Sequence, residues 1–282
     1  MQKPRVAVLV FGASNVLFSD AGPDASLFGF IKQELEARAS DVEWDLVAAE
    51  IPPARNMAAR TMELVTRHGA MVAYYMPSST YFAYDFVVAR VRRRYPWAQG
   101  FVAKFGGGLK EAAGGRFEGA EGLRGQLFRI PRRFAEAVIG AEPYIRTEHA
   151  IDNTVTTIQR LAEIEGFSLV AREPFTRIRT DPAKLEKYLQ RIGQYAAALR
   201  EACESHGFRC YSLPAYMAQY GLEPLYVADQ VHMTLETRRY EAKAAAEHLL
   251  AGLADRSPGQ PAVIRRAAAL NSPRSGPEAP SS

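Results

Sequence analysis

The sequence predicts a parallel, doubly wound α/β sandwich. Two observations carry that expectation: short, continuous apolar runs recur along the chain, and segments of helical period separate them. Such alternation argues for parallel strands joined by right-handed helical crossovers. The first run, Arg5 to Phe11, is rich in β-branched residues, the pattern of a strand buried on both faces. Similar runs predict strands at Trp44 to Ala49, Ala70 to Met76, Phe167 to Ala171 and Phe208 to Leu213. Periodicity predicts helices over Leu27 to Ala39, Asn56 to His68, Tyr81 to Arg94 and Arg146 to Glu165. The clearest helix runs from Asp181 to His206. Pro182 stands near its start, where a missing N–H costs nothing, and Leu185, Tyr188, Leu189, Ile192, Tyr195, Ala196 and Leu199 form one apolar stripe. A final helix is expected over Thr237 to Leu253.

The 282 residues suit one large domain, here read as residues 1–255. The interval between the third and fourth strands is too long for a single crossover, so residues from about 95 to 150 are read as an insertion. It is rich in glycine, including Gly106, Gly107 and Gly108, and reads either as a surface loop or as a lid. It lacks the spacing of a phosphate-binding P-loop. Residues 256–282 turn to Ser, Pro, Gly and Ala, the composition of a disordered tail.

Composition bounds the partners. With 48% apolar and 23% charged residues the chain is ordinary for a globular protein, and a net charge of +4 permits an anionic partner without implying one. No nucleic-acid partner is expected. No apolar stretch approaches the ~18 residues of a transmembrane helix, and the run after Met1-Gln2-Lys3-Pro4-Arg5 is too short for a signal peptide, so a cytoplasmic protein is expected. Cys203 and Cys210 read as ordinary thiols rather than a disulfide framework or a zinc site. His68, His149, His206 and His248 have no partner at ligand spacing and read as helix-surface or cap residues, so no metal is expected. The basic run Arg90 to Arg94 reads as a solvated helix end.

Two short motifs carry chemistry. Phe11-Gly12-Ala13-Ser14-Asn15 places a serine just beyond the carboxyl end of the first strand, the edge at which open α/β sheets bind ligands. Asp229-Gln230-Val231-His232 places a carboxylate and an imidazole on one short turn before the last helix. An aspartate so placed can fix the imidazole tautomer while the other ring nitrogen faces a nucleophile. Each motif alone is weak. The first reads equally as a helix cap, or as a phosphate-binding turn in a nucleotide binder.

The combination, in the chain order Ser, Asp, His, resembles the SGNH (GDSL-type) serine hydrolases. That family has a Gly-Asp-Ser block after its first strand and an Asp-x-x-His before its terminal helix; here the blocks read Gly12-Ala13-Ser14 and Asp229-Gln230-Val231-His232. The resemblance implies a flavodoxin-like three-layer sandwich with a five-stranded parallel sheet. It also implies ester hydrolysis on an acyl or acetyl ester of a carbohydrate or lipid, with Ser14 as nucleophile, His232 as base and Asp229 as orienter. No organic cofactor is implied. Two middle blocks of the family, which supply a glycine and an asparagine to the oxyanion hole, are altered. The corresponding stretches read Glu50-Ile51-Pro52-Pro53-Ala54-Arg55-Asn56 and Met76-Pro77-Ser78-Ser79-Thr80. Asn15, Asn56, Ser78 and Ser79 are therefore the candidate oxyanion or substrate-binding groups. The altered blocks keep a second reading open, an SGNH-like binding protein or acyltransferase for acylated sugar or lipid. Tyr74, Tyr75, Tyr81, Phe82 and Tyr84 read either as pocket lining or as core. Arg172-Glu173-Pro174-Phe175 reads as a segment at the same sheet edge.

Overall fold

The structure is a computed structural model, and it describes residues 3–12, 23–94, 141–175, 182–226 and 233–256. In chain order its elements are β1 (Arg5–Gly12), a 3-10 turn (Pro23–Ala25), α1 (Leu27–Arg38), β2 (Glu43–Glu50), α2 (Met57–His68), β3 (Val72–Met76), a second 3-10 turn (Ser79–Tyr81) and α3 (Val87–Arg94). There follow α4 (Thr147–Ala162), β4 (Ser168–Arg172), α5 (Pro182–Ser205), β5 (Arg209–Tyr211), α6 (Leu213–Ala218) and α7 (Leu235–Arg256).

The five strands form one sheet in the order β2-β1-β3-β4-β5, and every pairing is parallel. The expected doubly wound sandwich is therefore present. β1 is an interior strand between β2 and β3, and its apolar run is buried on both faces. Val6, Val8 and Val10 join one core with α1, α6 and α7, while Leu9 and Phe11 join the other with α2, α4 and α5. The alternation follows from the period of two along a strand. On the first face, α7 presents Ala242, Ala244, Ala245 and Ala246, all buried, so its backbone comes close to the sheet. At Gly252 a Cβ would stand 2.6 Å from Ser168 Oγ, which leaves no room for a side chain where α7 crosses β4.

Local signals account for the helix ends. Ser26 Oγ accepts from Gly29 N at 3.0 Å and caps α1. Gly69, at φ 60°, closes α2 in the left-handed conformation.

Four sequence expectations are corrected. The helix expected over Tyr81 to Arg94 begins only at Val87. Phe86 pairs in an antiparallel bridge with Glu142, and Asp85 is held by Lys187 and Arg191 at 2.9 and 2.7 Å, so this stretch is committed elsewhere. The strand expected over Phe208 to Leu213 keeps only Arg209–Tyr211, because Ser212 caps a short helix with Pro214 in its first turn. His248 is not a surface residue: its ring stacks on Tyr211 with centroids 4.6 Å apart. Residues 147–150, taken as the end of the insertion, form the first turn of α4. Among the described residues no helix is long and apolar enough to cross a membrane.

Candidate active site

In this strand order the connection from β1 leaves the sheet on one side and that from β3 on the other. Their carboxyl ends form the topological switch point, where such sheets bind ligands. Gly12 pairs with Met76 there. Gly12 has φ 131°, and a Cβ built on it would lie 2.0 Å from the Met76 carbonyl oxygen. Only glycine fits both the dihedral and the contact, so the turn out of β1 hugs the end of β3.

Ser14 and Asn15 lie outside the described residues, as do Asp229 and His232. The chain on either side of both segments is described, and it converges. The first segment is flanked by Gly12, at the switch point, and by the turn Pro23–Ala25. The segment 227–232 is closed at its base by an antiparallel bridge between Tyr226 and Met233. Thr234 N donates to Leu225 O at 3.0 Å, and Leu225 N donates to Thr237 Oγ1 at 2.8 Å. Met233 is buried in the same core cluster as Val10 and Met76. One turn into α7, Arg238 Nη1 donates to the Ala25 carbonyl at 2.8 Å. Described residues that follow each motif-bearing segment, Ala25 and Arg238, are thus bonded to each other.

The remaining predicted groups lie on the flanking loops. Ser78 is half-buried and extended, two residues beyond Met76; its carbonyl accepts from Tyr81 N, and its hydroxyl does not cap the turn. Ser79 follows in the turn, its carbonyl accepting from Ala83 N at 2.8 Å. Asn56 is exposed at the start of α2, and its side chain makes no capping bond. The structure therefore brings Ser78 and Ser79 beside the switch point and leaves the Asn56 amide uncommitted on the neighbouring loop.

Sequence reasoning missed one bond at this edge. Tyr81 OH donates to Glu50 Oε1 at 2.7 Å. Glu50 ends β2 opposite Gly12, and Tyr81 follows β3, so the bond spans the end of β1 between them. Partial burial, and then the adjoining carboxylate, push the Tyr81 hydroxyl pKa up, so it stays protonated and donating. The aromatic cluster divides accordingly. Tyr74, Tyr75 and Phe82 are core, whereas Tyr81 and Tyr84 are only partly buried.

A buried polar network lies beneath the same edge. Tyr74 OH donates to Glu241 Oε1 at 2.6 Å, and Tyr211 OH lies 2.9 Å from Tyr74 OH. Arg172 Nε stands 2.9 Å from Glu241 Oε1, an ion pair almost fully removed from water but not aligned for a hydrogen bond. The guanidinium also stacks over Phe175, 4.6 Å from the ring centroid. Burial raises the Glu241 carboxyl above its usual range, while Arg172 pulls it down. The opposing shifts describe a pair whose desolvation is only partly offset. Among the described residues no group of three His, Cys, Asp or Glu could hold a metal ion.

These features define a doubly wound, flavodoxin-like α/β sandwich, with its candidate site at the β1/β3 switch point. Solved structures share the fold. Axe2, an acetylxylan esterase from Geobacillus stearothermophilus, superposes with a TM-score of 0.52 at 12% identity over 88% of this chain and 96% of its own, in a form described as a catalytic aspartate mutant. A catalytic serine mutant of the same esterase gives a TM-score of 0.51. LAE5, an alpha/beta hydrolase enzyme from the metagenome of Lake Arreo, Spain, gives 0.51 at 14% identity, covering 89% of this chain and 96% of its own. No protein-family model matches the sequence, and no curated protein matches it either.

Proposed function

We propose that this protein is a divergent SGNH-type serine ester hydrolase acting on an acyl or acetyl ester, with acylated carbohydrate the favoured substrate class. The observation that supports the reading is the bond from Arg238 to Ala25, which joins residues that follow the Asp229–His232 and Ser14 segments in the chain. Ser14 Oγ attacks the acyl carbonyl carbon while His232 takes its proton. The tetrahedral oxyanion is held by the Ser14 N–H with Asn15, Asn56, Ser78 or Ser79 as further donors. Collapse expels the alkoxide, which takes the proton from His232. Water then attacks the acyl-enzyme by the same route and releases the acid, and Asp229 keeps the imidazole in the required tautomer throughout. Fold neighbours that include an acetylxylan esterase support the choice of ester.

The altered oxyanion loops favour a second reading, a binding protein or acyltransferase for the same class of ligand. Loss of one oxyanion donor costs about 10²–10³ in rate. Hydrolysis of a short-chain activated ester by the purified protein, beside Ser14→Ala and His232→Ala, separates the two. Activity abolished in both variants with folding unchanged supports the hydrolase. A wild type without activity, or activity surviving both substitutions, overturns it.

A further inference from the structure

One basic feature is used neither by the core nor by this chemistry. A cleft of about 510 Å³ opens between the loop preceding α2, the end of α3 and the start of α4. Arg55, Arg93, Arg146 and His149 line it, with Asp152 and Asn153. Arg93 is held in place: it pairs with Glu142 at 2.9 Å and donates to the Pro143 and Tyr144 carbonyls at 3.2 and 3.3 Å. Asn153 Nδ2 is held by Pro53 O at 3.1 Å. Arg55 and Arg146 are exposed, and their side chains have no ion-pair or hydrogen-bond partner among the described residues. Glu142 offsets Arg93 and Asp152 offsets one of the other two arginines. The cleft keeps at least one positive charge, to which the N-terminus of the 16-residue α4 adds its dipole.

The cleft adjoins the loops that flank the candidate active site. Arg55 adjoins Asn56, a candidate oxyanion donor. Ile145 N donates to Tyr81 O at 2.9 Å, and Tyr81 OH reaches Glu50 at the end of β2. A substrate with its ester at the switch point could extend one arm between Arg55 and Arg146. Guanidinium forks match the paired oxygens of carboxylates and phosphates.

We propose that this cleft is a subsite for an anionic substituent of the substrate, a carboxylate or phosphate gripped by Arg55 and Arg146. It rests on the ester-hydrolase reading for its place in a reaction, though not for its existence, and the test keeps the two apart. Binding of glucuronate and of inorganic phosphate is measured by calorimetry on the full chain carrying Ser14→Ala, with and without Arg55→Gln and Arg146→Gln. At least one anion is expected to bind, and to lose about tenfold or more in affinity with both arginines replaced. Which anion binds identifies the source of the charge. In the active protein, KM for acetylated glucuronate or acetylated glucose 6-phosphate should lie below that for acetylated glucose. The double substitution should remove that gap and leave kcat on the neutral ester unchanged. Failure of both anions to bind, or equal binding with and without the two arginines, overturns the subsite. A chain that binds an anion through these arginines but cleaves no ester overturns the hydrolase reading and leaves the subsite standing.

Discussion

Tyr74 and Tyr75 are neighbours on β3, fully buried, and face opposite sides of the sheet; each hydroxyl enters a polar knot, and the two knots are built differently. On the α2/α4/α5 side the knot is neutral. Thr154 Oγ1 donates to Met57 Sδ at 3.8 Å, so Tyr195 donates to Thr154 at 2.6 Å and Tyr75 donates to Tyr195 at 2.7 Å. Every proton in that chain is used, and Phe82 stacks on Tyr195 at 4.2 Å to seal it. On the α1/α7 side the knot is charged. Tyr74 and Arg172 converge on Glu241, while Glu241 Oε2 and Arg172 Nε make no hydrogen bond. The neutral knot lies under the helices that frame the sheet. The charged knot lies under the first turns of α7, just after the Asp-x-x-His segment. The side covered by α1 and α7 holds the buried group that is harder to satisfy.

The contrast breaks most visibly at Arg172. Arg172→Met leaves Glu241 buried without its cation and should cost about 3–5 kcal/mol by urea unfolding at neutral pH. Adding Glu241→Gln should recover much of that loss, and a double variant as unstable as the single one would refute an electrostatic origin. Next is Tyr74→Phe, which deletes a donor to a buried carboxylate and should cost about 2–3 kcal/mol.

His248 sharpens the comparison through pH. Burial, and then Arg209, lower its pKa from 6.5 to about 4, so the folded state holds it neutral. The unfolded chain binds the proton more readily, so its contribution is present above pH 6.5 and is lost as pH falls towards 4. Between pH 7 and 5 the wild type should lose about 2 kcal/mol more stability than His248→Phe, which keeps a ring on Tyr211. Equal losses would show that the imidazole is solvated in the native state. The smallest effect belongs to the neutral knot: Tyr75→Phe should cost only about 1 kcal/mol, since one acceptor lone pair on Tyr195 is all that goes unfilled. A cost matching that of Tyr74→Phe would erase the distinction between the two faces.

The scaffold was legible in the sequence wherever one local rule acted alone. Continuous apolar runs marked all five strands to within two residues at every end. Misreadings arose where tertiary contacts overrode local pattern. Tyr81 to Phe86 reads as helix, yet Asp85 is claimed by α5 and Phe86 by Glu142. Arg238 and Glu241 look like the solvated face of an Ala-rich helix, although both are completely buried. Their partners, Ala25 and Arg172, lie far away in sequence, and no periodicity can signal a bond of that span. Of the candidate site, the sequence singled out Ser78, Ser79 and Asn56 as candidates on the flanking loops. The Tyr81 to Glu50 bond was not legible, because it joins the turn after β3 to the end of β2, whose adjacency depends on strand order.

The Arg238 to Ala25 bond also bears on how the protein is made. A ribosome delivers the turn at Ala25 first and its partner 213 positions later, a delay of roughly 10 to 40 s at ordinary elongation rates. During that interval α1 and one whole face of the sheet, with Val6, Val8 and Val10, wait without the helix that covers them. The half-made protein therefore has a finished side and a sticky one, and it offers a chaperone a client until α7 emerges and docks. A chain that stops short of α7 would lose its soluble yield.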